Sequence, residues 1–293
     1  MRIGAKLPNS GPLPFQHGVP AMARALEDAG YDSLWVSDHI VLPQTIGSYY
    51  PFAADGRATW ATDTPYLDAL IALALAAAVT ERVRLGTAAL VLALRNPVEF
   101  AKQAASIDVA SGGRLELAVG AGWLAEEFEA LGVPFKTRGS RMVEWIEIAR
   151  DCWGGRPAAR ATERYTLPAG ILSSPPPAHE IPLLIGGHAP VALRRAGTVG
   201  DGWLAQQPLS AIEPDEIVQA IATMRAAAQE AGAEQVAPRV VLRIVESLGK
   251  PEQVAQHLDA LAGAGVEEVI VDVPVEREAA ERDLAVLRAG ASA

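Results

Sequence analysis

Apolar positions along the chain fall into two alternating rhythms. Short runs with no helical period stand at residues 2–7, 33–36, 83–92, 115–119, 182–185, 202–205, 239–245 and 267–273. Such runs, four to ten residues long and rich in Val, Ile and Leu, predict strands buried on both faces. Between them lie longer stretches with helical spacing, at 16–30, 67–79, 97–110, 140–153, 190–199, 214–231, 251–264 and 276–289. Their ends carry helix punctuation. Pro97, Pro190, Pro214 and Pro251 stand at helix starts, and Gly30, Gly112, Gly232 and Gly265 at helix ends, where proline and glycine respectively cost least. Asp68 interrupts the otherwise apolar run at 67–79.

Eight strands alternating with eight helices predict a parallel sheet, because parallel neighbours need a crossover of helix length. Eight units also suffice to close the sheet, so the expected fold is a (β/α)8 TIM barrel forming one domain over residues 1–293. An open doubly wound sheet is the competing architecture. The turn after the first strand argues against it, since residues 7–14 are proline-rich and hold no glycine-rich dinucleotide turn. Two long loops interrupt the alternation, 41–65 after the second strand and 154–180 before the fifth. The first leaves the C-terminal end of a strand, the end at which barrels carry their active sites.

Composition narrows the function class. Half of the 293 residues are hydrophobic and 35 acidic residues outnumber 25 basic ones, so a nucleic-acid footprint is not expected. The apolar run at 67–79 is too short to span a bilayer, and the first residues lack a secretory pattern; a cytoplasmic protein with no membrane contact is the expectation. Helices rich in Ala and Leu offer a surface for a homodimer. The single cysteine, Cys152, has no disulfide partner and reads as a small buried residue. His17, His39, His179, His188 and His257 show no metal-ligand spacing, so no metal site is expected.

The candidate chemistry sits at strand ends. Asp38 and His39 directly follow the second strand; a histidine there is placed to exchange protons near neutral pH, or is a turn histidine satisfied by local hydrogen bonds. Small residues, among them Ala88 and Ala89, end the third strand and leave room for a flat ring, or serve tight packing. Gly120, Ala121, Gly122 and Trp123 end the fourth, where glycine permits close backbone approach. Glu126 and Glu127 follow and suit the start of a short helix. Gly186, Gly187, His188 and Ala189 run from the fifth strand into a helix, a pattern that fits an anion cradle of backbone N–H groups at a helix N-terminus, or a tight strand-to-helix turn.

Taken in order, several segments resemble the luciferase-like monooxygenase superfamily, and within it the F420-dependent oxidoreductases. They are Gly30 to His39, Arg84 to Thr87, Arg95 to Pro97, Ser111 to Arg114, Gly120 to Trp123 with Glu126 to Phe128, and Gly186-Gly187 through Ala192 to Ala196 and on to Gly200-Asp201-Gly202-Trp203. Tyr50-Pro51 and Asp55-Gly56-Arg57 of the first long loop also look like that branch. The match runs from residue 1 to about 205; beyond it only Lys250 to Glu252 and Gly265-Val266 agree. The resemblance implies hydride transfer between the deazaflavin coenzyme F420 and a small organic substrate, with FMN as the alternative cofactor of a related monooxygenase. A barrel that binds a flavin without turnover is a further reading. The resemblance also implies that Asp38, Ala121 and Gly122 touch the cofactor and that His39 handles the proton. It implies a phosphate site at Gly186, Gly187, His188 and Ala189, and a non-proline cis peptide at Ala88–Ala89 against the ring. Trp123 departs from the pattern: the family's sugar-phosphate dehydrogenases carry glutamate there. Their lysine and arginine set for the substrate phosphate has no match either, so a sugar phosphate is not the expected substrate.

Overall fold

The computed structural model describes residues 1–53, 55–58, 60–232 and 238–291. Positions 54 and 59 of the first long loop lie outside the described residues. Eight parallel strands close into a barrel: β1 (Arg2–Lys6), β2 (Ser33–Val36), β3 (Arg84–Val91), β4 (Leu115–Gly120), β5 (Leu183–Gly186), β6 (Gly202–Pro208), β7 (Arg239–Val245) and β8 (Glu268–Val271). Each strand pairs with its sequence neighbours and β8 closes onto β1, with Arg2 opposite Glu268. The surrounding helices are α1 (Leu13–Gln16), α2 (Val19–Ala29), α3 (Ala69–Ala77), α4 (Pro97–Ser111), α5 (Ala125–Ala130), α6 (Arg138–Trp153), α7 (Pro190–Thr198), α8 (Pro214–Glu230), α9 (Pro251–Ala255), α10 (Leu258–Gly263) and α11 (Arg277–Gly290). The predicted barrel is the observed one.

Differences lie at element ends. The helix expected over 16–30 begins at Val19, because Gly18 at φ 78° breaks the backbone and Pro20 starts a fresh turn. Asp68, an apparent blemish in an apolar run, is the N-cap of α3: its carboxylate accepts from the N–H groups of Leu70 and Ile71 at 2.9 and 3.0 Å. A short helix, α5, fills the stretch between β4 and α6. The loop at 154–180 carries a two-stranded hairpin, Arg160–Ala161 with Thr166–Leu167. The helix expected over 251–264 is divided into α9 and α10.

Inside the barrel the side chains form layers, as alternation along each strand requires. The middle layer is apolar: Trp35, Ala118, Leu184, Leu204, Val241 and Ile270 pack together. Trp35 needs the glycines opposite it, since a Cβ on Gly86 would fall 2.4 Å from the indole and one on Gly4 2.9 Å from its Nε1. The layer at the N-terminal end is ionic. Glu116 accepts from Arg84 at 2.5 Å and from Arg239 at 2.7 Å, and Glu268 from Arg239 at 2.8 Å, with Arg2 at 3.1 Å. Ser33 and the Trp35 Nε1–H also donate to Glu268. Both carboxylates of that layer are met by arginines, and these ion pairs close the floor of the barrel.

Several motif residues are structural. Arg114 donates to the carbonyls of Ala77, Thr80, Val83 and Ser111, fastening α3 and α4 to the base of β3. Asp201 accepts from Leu183 N–H at 2.8 Å and pairs with Arg150. Cys152 is free and buried, and burial raises its thiol pKa.

Candidate active site

The C-terminal ends of the strands open onto a mouth whose two sides differ in chemistry. The side formed by β3, β4 and β5 is a wall of small residues. β3 bulges between Thr87 and Leu90, and the Ala88–Ala89 peptide within the bulge is cis, as the resemblance implies. Gly120 and Gly186 face this bulge. A Cβ built on either would meet little beyond the Ala89 methyl, at 3.6 and 3.4 Å respectively. A shallow recess therefore lies over Ala88, Ala89, Gly120 and Gly186. Ala121 and Gly122 continue its rim, partly exposed.

Asp38 secures that wall from beneath. It is buried, accepting from Val91 N–H at 2.9 Å and from Arg95 at 2.7 Å, while Arg95 also donates to Asp68 at 3.0 Å. Burial pushes the Asp38 carboxyl upward in pKa, against the pull of Arg95. Both Asp38 oxygens thus hold the strand beyond the bulge, and any ligand contact is added to these.

His39 stands at the mouth with its side chain 9% exposed. Its Nδ1 lies 3.0 Å from Glu127 Oε2 on α5. The other oxygen of Glu127 accepts from the N–H groups of Ile40 and Val41, at 2.5 and 3.2 Å. Glu127 therefore fixes the ring and the chain after it together, and leaves Nε2 for the mouth. Neighbouring Glu126 accepts from Gly47 N–H, Ser48 N–H and the Ser48 hydroxyl. The two glutamates of α5 bind the β2 loop across the barrel top; they do more than begin a helix.

The loop and the end of β4 together deliver aromatics around His39. Tyr66 and Trp123 stand edge-on to it, with centroids at 5.5 and 5.9 Å, and Trp60 lies at 6.4 Å. Tyr50 packs at 5.0 Å from both Trp60 and Trp123. Asn9, buried in the proline-rich turn after β1, pins the loop's far end by donating to the carbonyls of Ser37 and Leu67 at 2.8 and 3.0 Å and accepting from Ser37 N–H.

At β5, Gly187 has φ 117°, a left-handed conformation that favours glycine. Its carbonyl accepts from the Trp203 indole at 2.8 Å. Ala189 precedes α7 and supplies no side-chain cap; Pro190 has no N–H and the Ala192 N–H donates to the Ala189 carbonyl at 2.8 Å, so the Val191 N–H is the first-turn donor left without an acceptor among the described residues. His188 accepts from Gln206 N–H at 3.0 Å through Nε2, and burial lowers its pKa. Arg138, which donates to the carbonyls of Gly122 and Phe135, sits close to Arg195 of α7. Among the described residues neither arginine has a carboxylate within 4 Å.

Residues 9–283 match the model of the luciferase-like monooxygenase family. The chain belongs to that family. It is an oxidoreductase. An uncharacterized protein of Mycobacterium tuberculosis is 37% identical over 211 residues, 72% of this chain and 71% of the relative. An F420-dependent glucose-6-phosphate dehydrogenase of Beutenbergia cavernae is 34% identical over 182 residues, 61% of this chain and 49% of that protein. Among solved structures, monooxygenase RslO1 from Streptomyces bottropensis superposes with a TM-score of 0.74, covering 99% of this chain and 98% of that one. An F420-dependent secondary alcohol dehydrogenase in complex with an F420-acetone adduct gives 0.75, with 98% and 99% covered. Both are 18% identical to the chain, and at that level the likeness establishes the fold. No helix among the described residues is long and apolar enough to cross a membrane.

Proposed function

We propose that the protein is an F420-dependent oxidoreductase that transfers a hydride between the deazaflavin and a small organic substrate, with His39 as the proton-handling residue. The observation that carries this reading is the pairing, at one barrel mouth, of a small-residue recess with a histidine held by a buried carboxylate. The residues fit such a cofactor. The recess over Ala88, Ala89, Gly120 and Gly186 is lined by methyl and backbone atoms against which a tricyclic ring can lie, and Ala121, Gly122 and Asp38 adjoin it. The uncapped start of α7, with Gly186, Gly187, His188 and Ala189, suits a phosphate, and Arg138 and Arg195 add positive charge. When bound, a deazaflavin supplies an obligate hydride carrier. The chain supplies the rest: Glu127 orients His39, His39 Nε2 gives or takes the substrate proton, and the aromatics of the β2 loop exclude water.

The relative named an F420-dependent dehydrogenase supports this choice of cofactor. FMN, which the resemblance to luciferase-like monooxygenases implies as the alternative cofactor, is the second reading. Parallel spectroscopic titrations with oxidised F420 and with FMN decide between them. Saturable binding of F420 with none of FMN is expected. Binding of FMN alone would move the protein to the second reading, and binding of neither would defeat both.

A further inference from the structure

Opposite the small-residue recess, the mouth is walled by β7, β8 and β1. This side carries Arg243 on β7, Asp272 just after β8, and Lys6 at the end of β1, with Ser37 beyond β2. All four are partly exposed to the mouth. We propose that Lys6 and Arg243 form an anchor for a substrate carboxylate, which makes the substrate a short organic acid. This rests on the barrel mouth being the active site.

Both cations keep donors without close acceptors. The Lys6 ammonium makes two long hydrogen bonds, to the Leu7 carbonyl at 3.2 Å and Asn9 Oδ1 at 3.3 Å. Among the described residues no carboxylate lies within 4 Å of it. Arg243 carries five N–H donors and makes one hydrogen bond, to Ser37 Oγ at 3.2 Å. Its Nε is buried with no partner, a feature it shares with Arg239 of the ionic layer, so the difference between the two lies in their terminal nitrogens. Its closest acid, Asp272, is 3.6 Å away, beyond hydrogen-bonding reach. The ionic layer at the other end of the same barrel shows the contrast: there Glu116 and Glu268 accept from Arg84 and Arg239 at 2.5 to 2.8 Å. Half-buried cationic donors held only by long contacts gain when a closer acceptor meets them. Burial and the Arg243 cation together lower the Lys6 pKa, opposed by Asp272; an incoming anion would reverse that pressure.

Charge selects the kind of anion. With Lys6 holding its proton against the incoming anion, two cations and one carboxylate leave a net charge of about plus one, which matches a carboxylate, whereas Asp272 would repel the second charge of a phosphate. Position sets the length. Ser37, the acceptor for Arg243, is two residues from His39, and Tyr66 links the two sides by facing Ser10 and Ser37 while packing on the His39 ring. A molecule anchored at Lys6 and Arg243 and reaching His39 would pass among Tyr66, Trp60, Trp123 and Tyr50, so an apolar or aromatic remainder fits.

The test is calorimetric titration of the F420-loaded protein with phenylacetate, phenylacetamide and phenyl phosphate, repeated on Lys6→Met and Arg243→Met. Phenylacetate should bind at least about tenfold more tightly than the amide and more tightly than the phosphate. Each variant should lose that preference while still binding F420, which reports an intact barrel. Equal binding of acid and amide to the unmodified protein, tighter binding of phenyl phosphate, or a preference that survives both substitutions would each overturn the proposal. The same titrations without cofactor separate the two readings: a carboxylate preference in a protein that does not bind F420 would leave the anchor standing and remove the cofactor.

Discussion

His39 is readable as a candidate from its place one residue past a strand end; the group that makes it usable is not. Glu127 lies 88 residues away on a short helix that the sequence suggests, but only the closed barrel brings its carboxylate to Nδ1. The Asp38–Arg95 pair and the clamp of Asn9 on Ser37 and Leu67 are likewise tertiary, and no local spacing predicts them. Replacing His39 by Ala should lower turnover by about 10²–10⁴ with little change in F420 affinity, checked by steady-state rates beside cofactor titration. Full turnover in that variant would remove the proton-transfer role. Glu127→Gln keeps the volume but removes the charge that aligns the ring; a loss of roughly 10² in kcat is expected, smaller than that of His39→Ala, with the pH–rate profile displaced. A variant with an unchanged profile would make Glu127 a loop fastener only.

Among the elements, strands and helices are legible because the chain is buried on two faces and punctuated by Pro and Gly, and their ends are less so because caps are decided locally. Asp68 interrupts a hydrophobic pattern yet begins a helix, and Gly18 ends one stretch where periodicity alone would carry on. The turn from β5 into α7 offers the sharpest test at this scale. An Ala at position 187 would meet the strain of φ 117° and would place its Cβ 3.2 Å from that of Ala192. Gly187→Ala should therefore cost about 1–3 kcal/mol of stability, read by thermal melts, and should weaken F420 binding by shifting the N–H groups before α7. Cofactor affinity untouched by this change would place the phosphate elsewhere.

The whole molecule divides its labour between the ends of one barrel. The N-terminal layer is close ion pairing beside Trp35; the C-terminal end is small on one side, aromatic around His39, and only loosely paired at Lys6 and Arg243. Strand count and spacing reveal the barrel, but which interior charges are paired depends on register, and so the difference between its ends emerges only in the folded chain. Glu268→Ala should strip Arg239 and Arg2 of a buried partner and destabilise the protein by about 3–5 kcal/mol in denaturant unfolding, leaving F420 affinity of the folded fraction unaltered. A loss below about 1 kcal/mol would mean that the layer is dispensable. The most direct test of the central claim is a crystal structure of the protein with oxidised F420. The deazaflavin ring should lie over Ala88, Ala89, Gly120 and Gly186, with its phosphate at residues 186–189 and the start of α7. A ring bound outside the barrel mouth, or a phosphate at another strand end, would contradict that claim.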